Sequence, residues 1–170
     1  PVDELSLAEK DRKLRSLIAS YDSLIVAYSG GVDSVLLAAV AREVLEDRML
    51  AAIADSPSLP REELEEAQSL AGQFDFPLEI LKTNEFANPD YASNPVSRCY
   101  YCKQELFTRL EPLARERGLA VIAYGENASD LDDFRPGAQA AREFKVRAPL
   151  MEAGLLKDEI REISRRLGLP

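Results

Sequence analysis

Histidine is absent from all 170 residues, and only two are cysteine. Without histidine the chain lacks the commonest general base and a common metal ligand. Acid–base or metal chemistry therefore falls to aspartate, glutamate, lysine, cysteine or tyrosine. The polar opening at Pro1–Glu4 is unlike a signal peptide. Together with the two cysteines it predicts a reducing, cytoplasmic setting, where thiols serve catalysis or metal binding rather than cross-linking.

Positive charge and long apolar runs are also in short supply. Lysine and arginine number 21 against 30 acidic residues, which gives a net charge of −9. This balance argues against a nucleic acid as the main partner. The apolar runs are too short to span a bilayer, so no membrane partner is predicted.

The order of elements predicts one domain over residues 1–170. Strands alternate with helices, which is typical of an α/β fold with a doubly wound parallel sheet. The predicted strands are Leu24–Tyr28, Met49–Ala54, Pro77–Leu81, Ala120–Tyr124 and Val146–Leu150. The predicted helices are Ser6–Ala19, Asp33–Leu45, Arg61–Phe74, Tyr101–Arg117, Ala138–Glu143 and Lys157–Leu167. Irregular loops are expected over Thr83–Val96 and Gly125–Gly137.

The most informative motif is Ser29–Ser34, which joins the first strand to the following helix. Gly30 and Gly31 permit a tight bend and close approach to a ligand. The helix start directs backbone N–H groups and positive dipole at the turn, and Ser29 and Ser34 add hydroxyl groups. This pattern predicts a phosphate or pyrophosphate site, although not of the Walker type. The plain alternative is an ordinary Gly-Gly turn.

The two cysteines, Cys99 and Cys102, form a C-x-x-C pair at a predicted helix start. The helix N-terminus lowers the pKa of such thiols. A zinc site would need two further ligands, and a thioredoxin-like redox pair belongs to a fold without the phosphate loop. A cluster or sulfur-carrying site would need another cysteine, and two simply buried cysteines remain the alternative.

Ligands of such sheets bind outside the carboxyl ends of the strands. Asp55 follows the second strand there, and Gly125 follows the fourth. In the loop after Gly125, Asp130 and Asp133 are spaced to share one Mg²⁺. Arg135 offers a bidentate fork for phosphate or carboxylate. An exposed acidic loop is the alternative for these acids.

The chain resembles the ATP-dependent sulfurtransferases of the LarE type, which belong to the PP-loop ATP pyrophosphatases. The resemblance rests on four segments that occur in the family's order: Ser29–Ser34, Arg98–Lys103, Asp130–Gly137 and Arg147–Pro170. It implies an adenine nucleotide α-hydrolase-like fold that cleaves ATP between the α and β phosphates. It also implies adenylation of a carboxylate of pyridinium-3,5-biscarboxylic acid mononucleotide and its conversion to a thiocarboxylate. The product would serve the nickel-pincer cofactor of lactate racemase.

The resemblance assigns roles to individual residues. A pyrophosphate cradle would comprise Ser29, Gly30, Gly31, Asp33 and Ser34. A catalytic group would comprise Asp33, Lys103, Cys99 and Cys102, with Lys103 neutralising charge on phosphate or substrate. The nucleotide side of the cleft would be lined by Asp55, Gly125, Asp130 and Arg135. ATP and Mg²⁺ are the implied cofactors, with Asp130 and Asp133 as metal ligands.

In one variant of the family three cysteines hold a [4Fe–4S] cluster, and Cys99 and Cys102 match two of them. The third follows the segment that matches Leu167–Pro170, so we expect it outside these residues. The family's substrate-binding and oligomer-forming region is expected there too, within a homo-oligomer. Three other functions stay open: a tRNA-thiolating PP-loop enzyme, a PP-loop amide ligase such as an NAD or GMP synthetase, and a nucleotide-binding module without catalysis.

Overall fold

A computed structural model describes residues 2–83, 98–130 and 136–170 of the chain. The helices are α1 (Glu4–Ser20), α2 (Val32–Leu45), α3 (Arg61–Gln73), α4 (Arg98–Arg117), α5 (Pro136–Glu143), α6 (Pro149–Glu152) and α7 (Lys157–Arg166). The strands are β1 (Leu24–Ala27), β2 (Met49–Asp55), β3 (Leu78–Lys82) and β4 (Val121–Tyr124). A short 3₁₀ helix spans Ala128–Asp130. Most of the predicted loop over Thr83–Val96 lies outside the described residues.

All four described strands are parallel, in the order β3-β2-β1-β4. Leu24 of β1 is level with Met49 of β2 and with Val121 of β4. Every residue of β1 is buried, as the continuous apolar run of this strand predicts for a sheet that is covered on both faces. The predicted α/β class is therefore confirmed.

Side chains of β1 alternate between two hydrophobic cores, because successive strand residues point to opposite faces. Leu24 and Val26 join one core with residues from α1, α2, α3, α6 and α7. Ile25 and Ala27 join the other core with residues from α4 and α5. The sheet is thus doubly wound, with helices on each face.

The predicted fifth strand, Val146–Leu150, is wrong. Pairing there is limited to a single bridge to β4, in which Arg147 N donates to Ile122 O at 2.8 Å and Tyr124 N donates to Arg147 O at 3.0 Å. Pro149 then begins α6. Proline has no N–H for a sheet ladder, and its fixed φ suits the first turn of a helix, so the chain turns into α6.

Helix α4 is longer than predicted, since it begins at Arg98 and not at Tyr101. It ends where expected: Gly118 has φ +68°, and its N–H bonds Arg115 O at 3.3 Å. Charged side chains recur along this helix. Across the described parts of the chain, no helix is long and apolar enough to cross a membrane.

The strand order places a topological switch point beside β1. From β1 the chain crosses to β2 on one side, and the later return places β4 on the other side. In open α/β sheets this is where ligands bind, outside the carboxyl ends of the strands. The loops that follow β1 and β4, which contain Gly31 and Gly125, meet at this crevice.

Candidate functional site

The loop after β1 is held in shape by its two serines. Ser29 N donates to Ser34 Oγ at 3.1 Å, and the two hydroxyl oxygens lie 3.1 Å apart. Ser34 Oγ donates to Gly31 O at 3.2 Å. Ser34 is buried whereas Ser29 and Gly31 are exposed. The serines thus brace the loop while its backbone faces the solvent.

Gly31 is the N-cap of α2, and among the described residues no side chain caps this helix end. The first-turn N–H groups of a helix lack partners within the helix and attract anions. A Cβ atom at Gly31 would meet nothing closer than Ser29 Oγ at 3.5 Å within the described structure. The space at Gly31 is therefore open, as a phosphate cradle requires.

Gly30 is needed for a different reason. Its φ is +83°, a conformation that side-chain-bearing residues rarely adopt. An added Cβ would lie 3.1 Å from the Cβ of Ala67 on α3. Gly30 therefore lets the loop turn sharply and lets α3 pack against it.

Gly125 allows the end of β4 to approach the start of α2. An added Cβ there would lie 2.9 Å from Ser34 N and 3.0 Å from the Asp33 carbonyl carbon. The sequence predicts a close approach at Gly125 to a ligand, and the contact in this structure is with the backbone of the phosphate loop. This glycine therefore sets the width of the crevice between the two loops.

Asp33 is the charged centre of the crevice. Lys157 Nζ lies 2.7 Å from its Oδ1, and Asn127 Nδ2 donates to its Oδ2 at 2.9 Å. Asp33 is 16% exposed and Lys157 is 36% exposed at the side chain. The network joins α2, the loop after β4, and α7, so three distant segments fix one carboxylate beside the helix end.

Lys157 is a site residue to which sequence reasoning gave no role. It begins α7, where the positive end of the helix dipole disfavours a cation. Ser129 Oγ accepts a hydrogen bond from Lys157 N at 3.1 Å, which fixes this helix start to the loop after β4. Because a lysine at a helix N-terminus does not stabilise the helix, its presence there is a sequence signal for a different role.

Two cavities flank the loop. One, of about 320 Å³, is lined by Ser29, Gly30, Gly31, Glu63, Glu66 and Ala67. The other, of about 160 Å³, lies at the ends of β1 and β2. It is mostly apolar and is lined by Ala27, Tyr28, Ser29, Ile53, Ala54, Leu59, Lys103 and Leu106. A polar cavity beside an apolar one suits a ligand that has both a polar part and a flat ring.

Lys103 lies at this apolar cavity, with Nζ 5.9 Å from the centre of the Tyr124 ring. Lys103 belongs to the second turn of α4, directly after Cys102 and four residues after Cys99. The side chains of both cysteines are outside the described structure. The helix start that carries them is nevertheless anchored to the cavity by Lys103.

Tyr28 supports the loop from below. Its hydroxyl donates to Ala67 O at 2.9 Å, and its ring meets Phe76 edge-on at 5.3 Å. Burial raises the pKa of Tyr28 to about 12, with the charge of Glu66 as a second cause. The neutral phenol thereby fixes α3 beneath the loop.

Asp55, which the resemblance assigns to the nucleotide side of the cleft, ends strand β2. Its carboxylate is 4% exposed and is bonded by Arg61 and by Lys82, whose Nζ lies 2.5 Å from Oδ2. Hydrogen bonds from Arg61 and then Lys82 hold the pKa of Asp55 well below its usual range. The Asp55 carboxylate is therefore ion-paired with two cations.

Three expected ligands are not placed by this structure. Asp133 and Arg135 lie outside the described residues, and for Asp130 only the backbone is described, in the 3₁₀ helix. Within the described part of the chain, no group of three or more acidic or cysteine side chains could hold a metal ion. The magnesium ligands stay predictions.

Comparison with known proteins decides the family. Residues 9–131, well over half of the chain, match the family described as NAD synthase. The chain belongs to the NAD synthase family. Its structure resembles that of NMN synthetase from Francisella tularensis with a TM-score of 0.73 over 96% of this chain and 71% of that one, at 18% identity. The predicted PP-loop ATP pyrophosphatase fold is confirmed.

Relatives at higher identity also match along nearly the whole chain. An uncharacterized protein of Synechocystis sp. is 48% identical over 96% of this chain and 61% of its own length. The pyridinium-3,5-bisthiocarboxylic acid mononucleotide synthase of Lactiplantibacillus plantarum is 31% identical over 96% of this chain and 60% of its own length. The chain thus spans about three fifths of the length of these curated relatives.

Proposed function

We propose that the protein is an ATP-dependent sulfurtransferase of the LarE type. It adenylates a carboxylate of pyridinium-3,5-biscarboxylic acid mononucleotide and converts the activated group to a thiocarboxylate. Residues 1–170 form the adenylating PP-loop domain in this proposal. Support comes from the similarity to the Lactiplantibacillus plantarum enzyme and from the arrangement of the crevice.

The observation that carries this proposal is the position of Lys103. Its side chain lines the apolar cavity beside Ser29, and it directly follows Cys102 in α4, four residues after Cys99. Amide-forming PP-loop enzymes have no need of a cysteine pair there. In this proposal the cysteines of α4 supply the thiols for sulfur delivery.

In the first half-reaction the substrate carboxylate attacks the α-phosphorus of ATP. An O–P bond forms, the bond to the β-phosphate oxygen breaks, and pyrophosphate leaves. The open N-terminus of α2 after Gly31 would hold the leaving group, as would the hydroxyl of Ser29. Lys157, fixed by Asp33, would offset the charge that develops on pyrophosphate. Mg²⁺ enters with ATP as part of the substrate.

In the second half-reaction a sulfur nucleophile attacks the carbonyl carbon of the acyl adenylate, and AMP leaves. If a cysteine supplies the sulfur itself, its attack gives a thioester; loss of the Cα proton then breaks the cysteine Cβ–S bond, which releases the thiocarboxylate and leaves dehydroalanine. Alternatively, Cys99 and Cys102 would hold a [4Fe–4S] cluster, which would supply the sulfur as sulfide. The third cluster ligand would come from outside these residues.

The test supplies the protein with ATP, Mg²⁺ and the pyridinium biscarboxylate mononucleotide, and measures pyrophosphate, AMP and thiocarboxylate separately. Cys99→Ala should keep pyrophosphate release and lose the thiocarboxylate. Cys99→Ser serves as a matched variant of similar size. Loss of pyrophosphate release in Cys99→Ala would place this thiol in the first half-reaction and contradict the assigned role.

The same experiment separates an amide ligase. Relatives of the chain include a glutamine-hydrolyzing GMP synthase component of Archaeoglobus fulgidus, at 29% identity over 86% of this chain and 51% of its own length. An enzyme of that class would release pyrophosphate with ammonia as the second substrate. Its activity would survive in Cys99→Ala with Cys102→Ala, which would refute the sulfurtransferase proposal.

A further inference from the structure

A third cavity lies further along the same edge of the sheet, at the ends of β2 and β3. Its volume is about 420 Å³. The described lining residues are Asp55, Ser56, Pro57, Leu59, Arg61, Lys82 and Thr83. Neither the phosphate loop nor the Asp33 network uses any of these side chains.

The cationic groups of this cavity are held in place by one buried acid. Arg61 bonds both carboxylate oxygens of Asp55, and Lys82 Nζ lies 2.5 Å from Oδ2. The Asp55 side chain is 4% exposed, whereas Arg61 is 58% exposed and Lys82 is 82% exposed. The acid is thus enclosed by the protein, and the two cations are presented to the solvent.

The charges in this cavity do not cancel. Arg61 and Lys82 carry two positive charges, and Asp55 is the one acid among the described lining residues. The net charge of the described lining is therefore positive, although the net charge of the whole chain is −9. Thr83 and Ser56 add hydroxyl groups to the wall. Preorganised cations with nearby hydroxyl donors are what a phosphate monoester or carboxylate binds best.

The position of this cavity separates it from the pyrophosphate cradle. It shares Leu59 with the apolar cavity, which in turn shares Ser29 with the phosphate loop. Neighbouring strands lie about 4.8 Å apart, so the end of β3 is about 10 Å from the end of β1. An anion bound here is therefore distinct from the pyrophosphate at the loop, yet within the span of a mononucleotide.

We propose that Arg61 and Lys82 bind the phosphate monoester of the mononucleotide substrate, and that Asp55 positions both cations. The identity of the substrate rests on the proposed function. The site gives the substrate two anchors on the edge of the sheet, its carboxylate at the site of adenylation and its phosphate in this cavity. Asp55 then acts through its neighbours and touches no ligand.

The test measures binding by calorimetry with two probes. Nicotinate mononucleotide is a pyridinium mononucleotide with one carboxylate and one phosphate, and nicotinate riboside lacks the phosphate. Lys82→Gln and Arg61→Gln are compared with the unaltered protein. Arg109→Gln is the matched control, because Arg109 is 56% exposed in an ion pair on α4. Circular dichroism confirms the fold of each variant.

Each of the two variants should weaken mononucleotide binding about tenfold, the loss expected for one charge-assisted hydrogen bond. Binding of the riboside and of ATP should be unchanged, and Arg109→Gln should match the unaltered protein. Equal mononucleotide binding in all variants would overturn the inference and leave the proposed function standing. A tenfold loss of ATP binding would overturn it too, by assigning the cations to ATP. Failure of the unaltered protein to bind nicotinate mononucleotide would overturn the inference as well, whereas failure to release pyrophosphate with the pyridinium biscarboxylate mononucleotide would refute the proposed function itself.

Discussion

Gly125→Ala tests whether the end of β4 sets the geometry of the phosphate loop. The added methyl would lie 2.9 Å from Ser34 N and 3.0 Å from atoms of Asp33, so backbone must move by a few tenths of an ångström. The backbone at Gly125 has no positive φ, and the effect is therefore one of overpacking rather than of strain. Overpacking of this kind costs about 2 kcal/mol.

For a chain of this size, that cost lowers the melting temperature by about 4–8 °C. The displaced start of α2 should also bind ATP about tenfold more weakly, because its N–H groups no longer converge on one position. Thermal unfolding and calorimetric titration with ATP measure the two effects on the same samples.

Gly72→Ala is the matched control. Gly72 lies within α3, and within the described structure an added Cβ there meets no atom within 4 Å. The same substitution should raise stability by about 0.5–1 kcal/mol and leave ATP binding unchanged. Unchanged melting temperature and ATP affinity in Gly125→Ala would refute the contact between β4 and the phosphate loop.

Two further substitutions test the loop and its support. Gly31→Val should abolish ATP binding, because the valine side chain fills the phosphate cradle. The melting temperature should change little, because an added Cβ lies no closer than 3.5 Å to Ser29 Oγ. Retained ATP affinity would contradict the assignment of the cradle. Tyr28→Phe should lower the free energy of unfolding by about 1 kcal/mol, since the hydrogen bond from the Tyr28 hydroxyl to Ala67 O is lost. Tyr21→Phe should not lower it, since the buried Tyr21 hydroxyl has no hydrogen-bond partner among the described residues. Burial raises the pKa of each phenol to about 12, so each is neutral in the folded and the unfolded state below pH 10. Between pH 10 and pH 12 only the unfolded state ionises, and the folded state is destabilised. Chemical denaturation measures the free energy of unfolding at pH 8 and pH 11. Its decrease between the two pH values should be smaller in each variant than in the unaltered protein, and equal decreases would contradict the raised pKa of the phenols.

Local sequence patterns were sufficient to predict the core of the fold. The apolar run from Leu24, the glycines that follow, and the apolar positions of α2 all act within a few residues of one another. Their geometry is set by backbone sterics and side-chain alternation, which a sequence displays directly. The strand–turn–helix order around Ser29–Ser34 is accordingly as predicted.

Pro149 shows where an apolar pattern misleads. The run from Val146 to Leu150 has the composition of a strand, and one bridge at Arg147 does form. The proline removes the N–H that the next ladder bond needs and starts a helix. Pro149 was the signal in the sequence that a helix, and not a strand, begins here.

The partners of Asp33 and Asp55 were beyond prediction because they lie far away in the sequence. Lys157 is 124 residues from Asp33, and Lys82 is 27 residues from Asp55. Spacing rules for helices and strands reach only near neighbours, so they show the acids but not the cations that hold them. Only the packing of α7 and β3 against the strand ends reveals these pairs.

The central claim is that the protein cleaves ATP at the α-phosphate to adenylate a carboxylate. The direct measurement is the product of ATP in the presence of the pyridinium biscarboxylate mononucleotide, with ATP labelled at the α-phosphate. The account predicts pyrophosphate and label in an acyl adenylate or AMP, with none of these products from Gly31→Val. Release of ADP and inorganic phosphate, or no turnover of ATP, would contradict it.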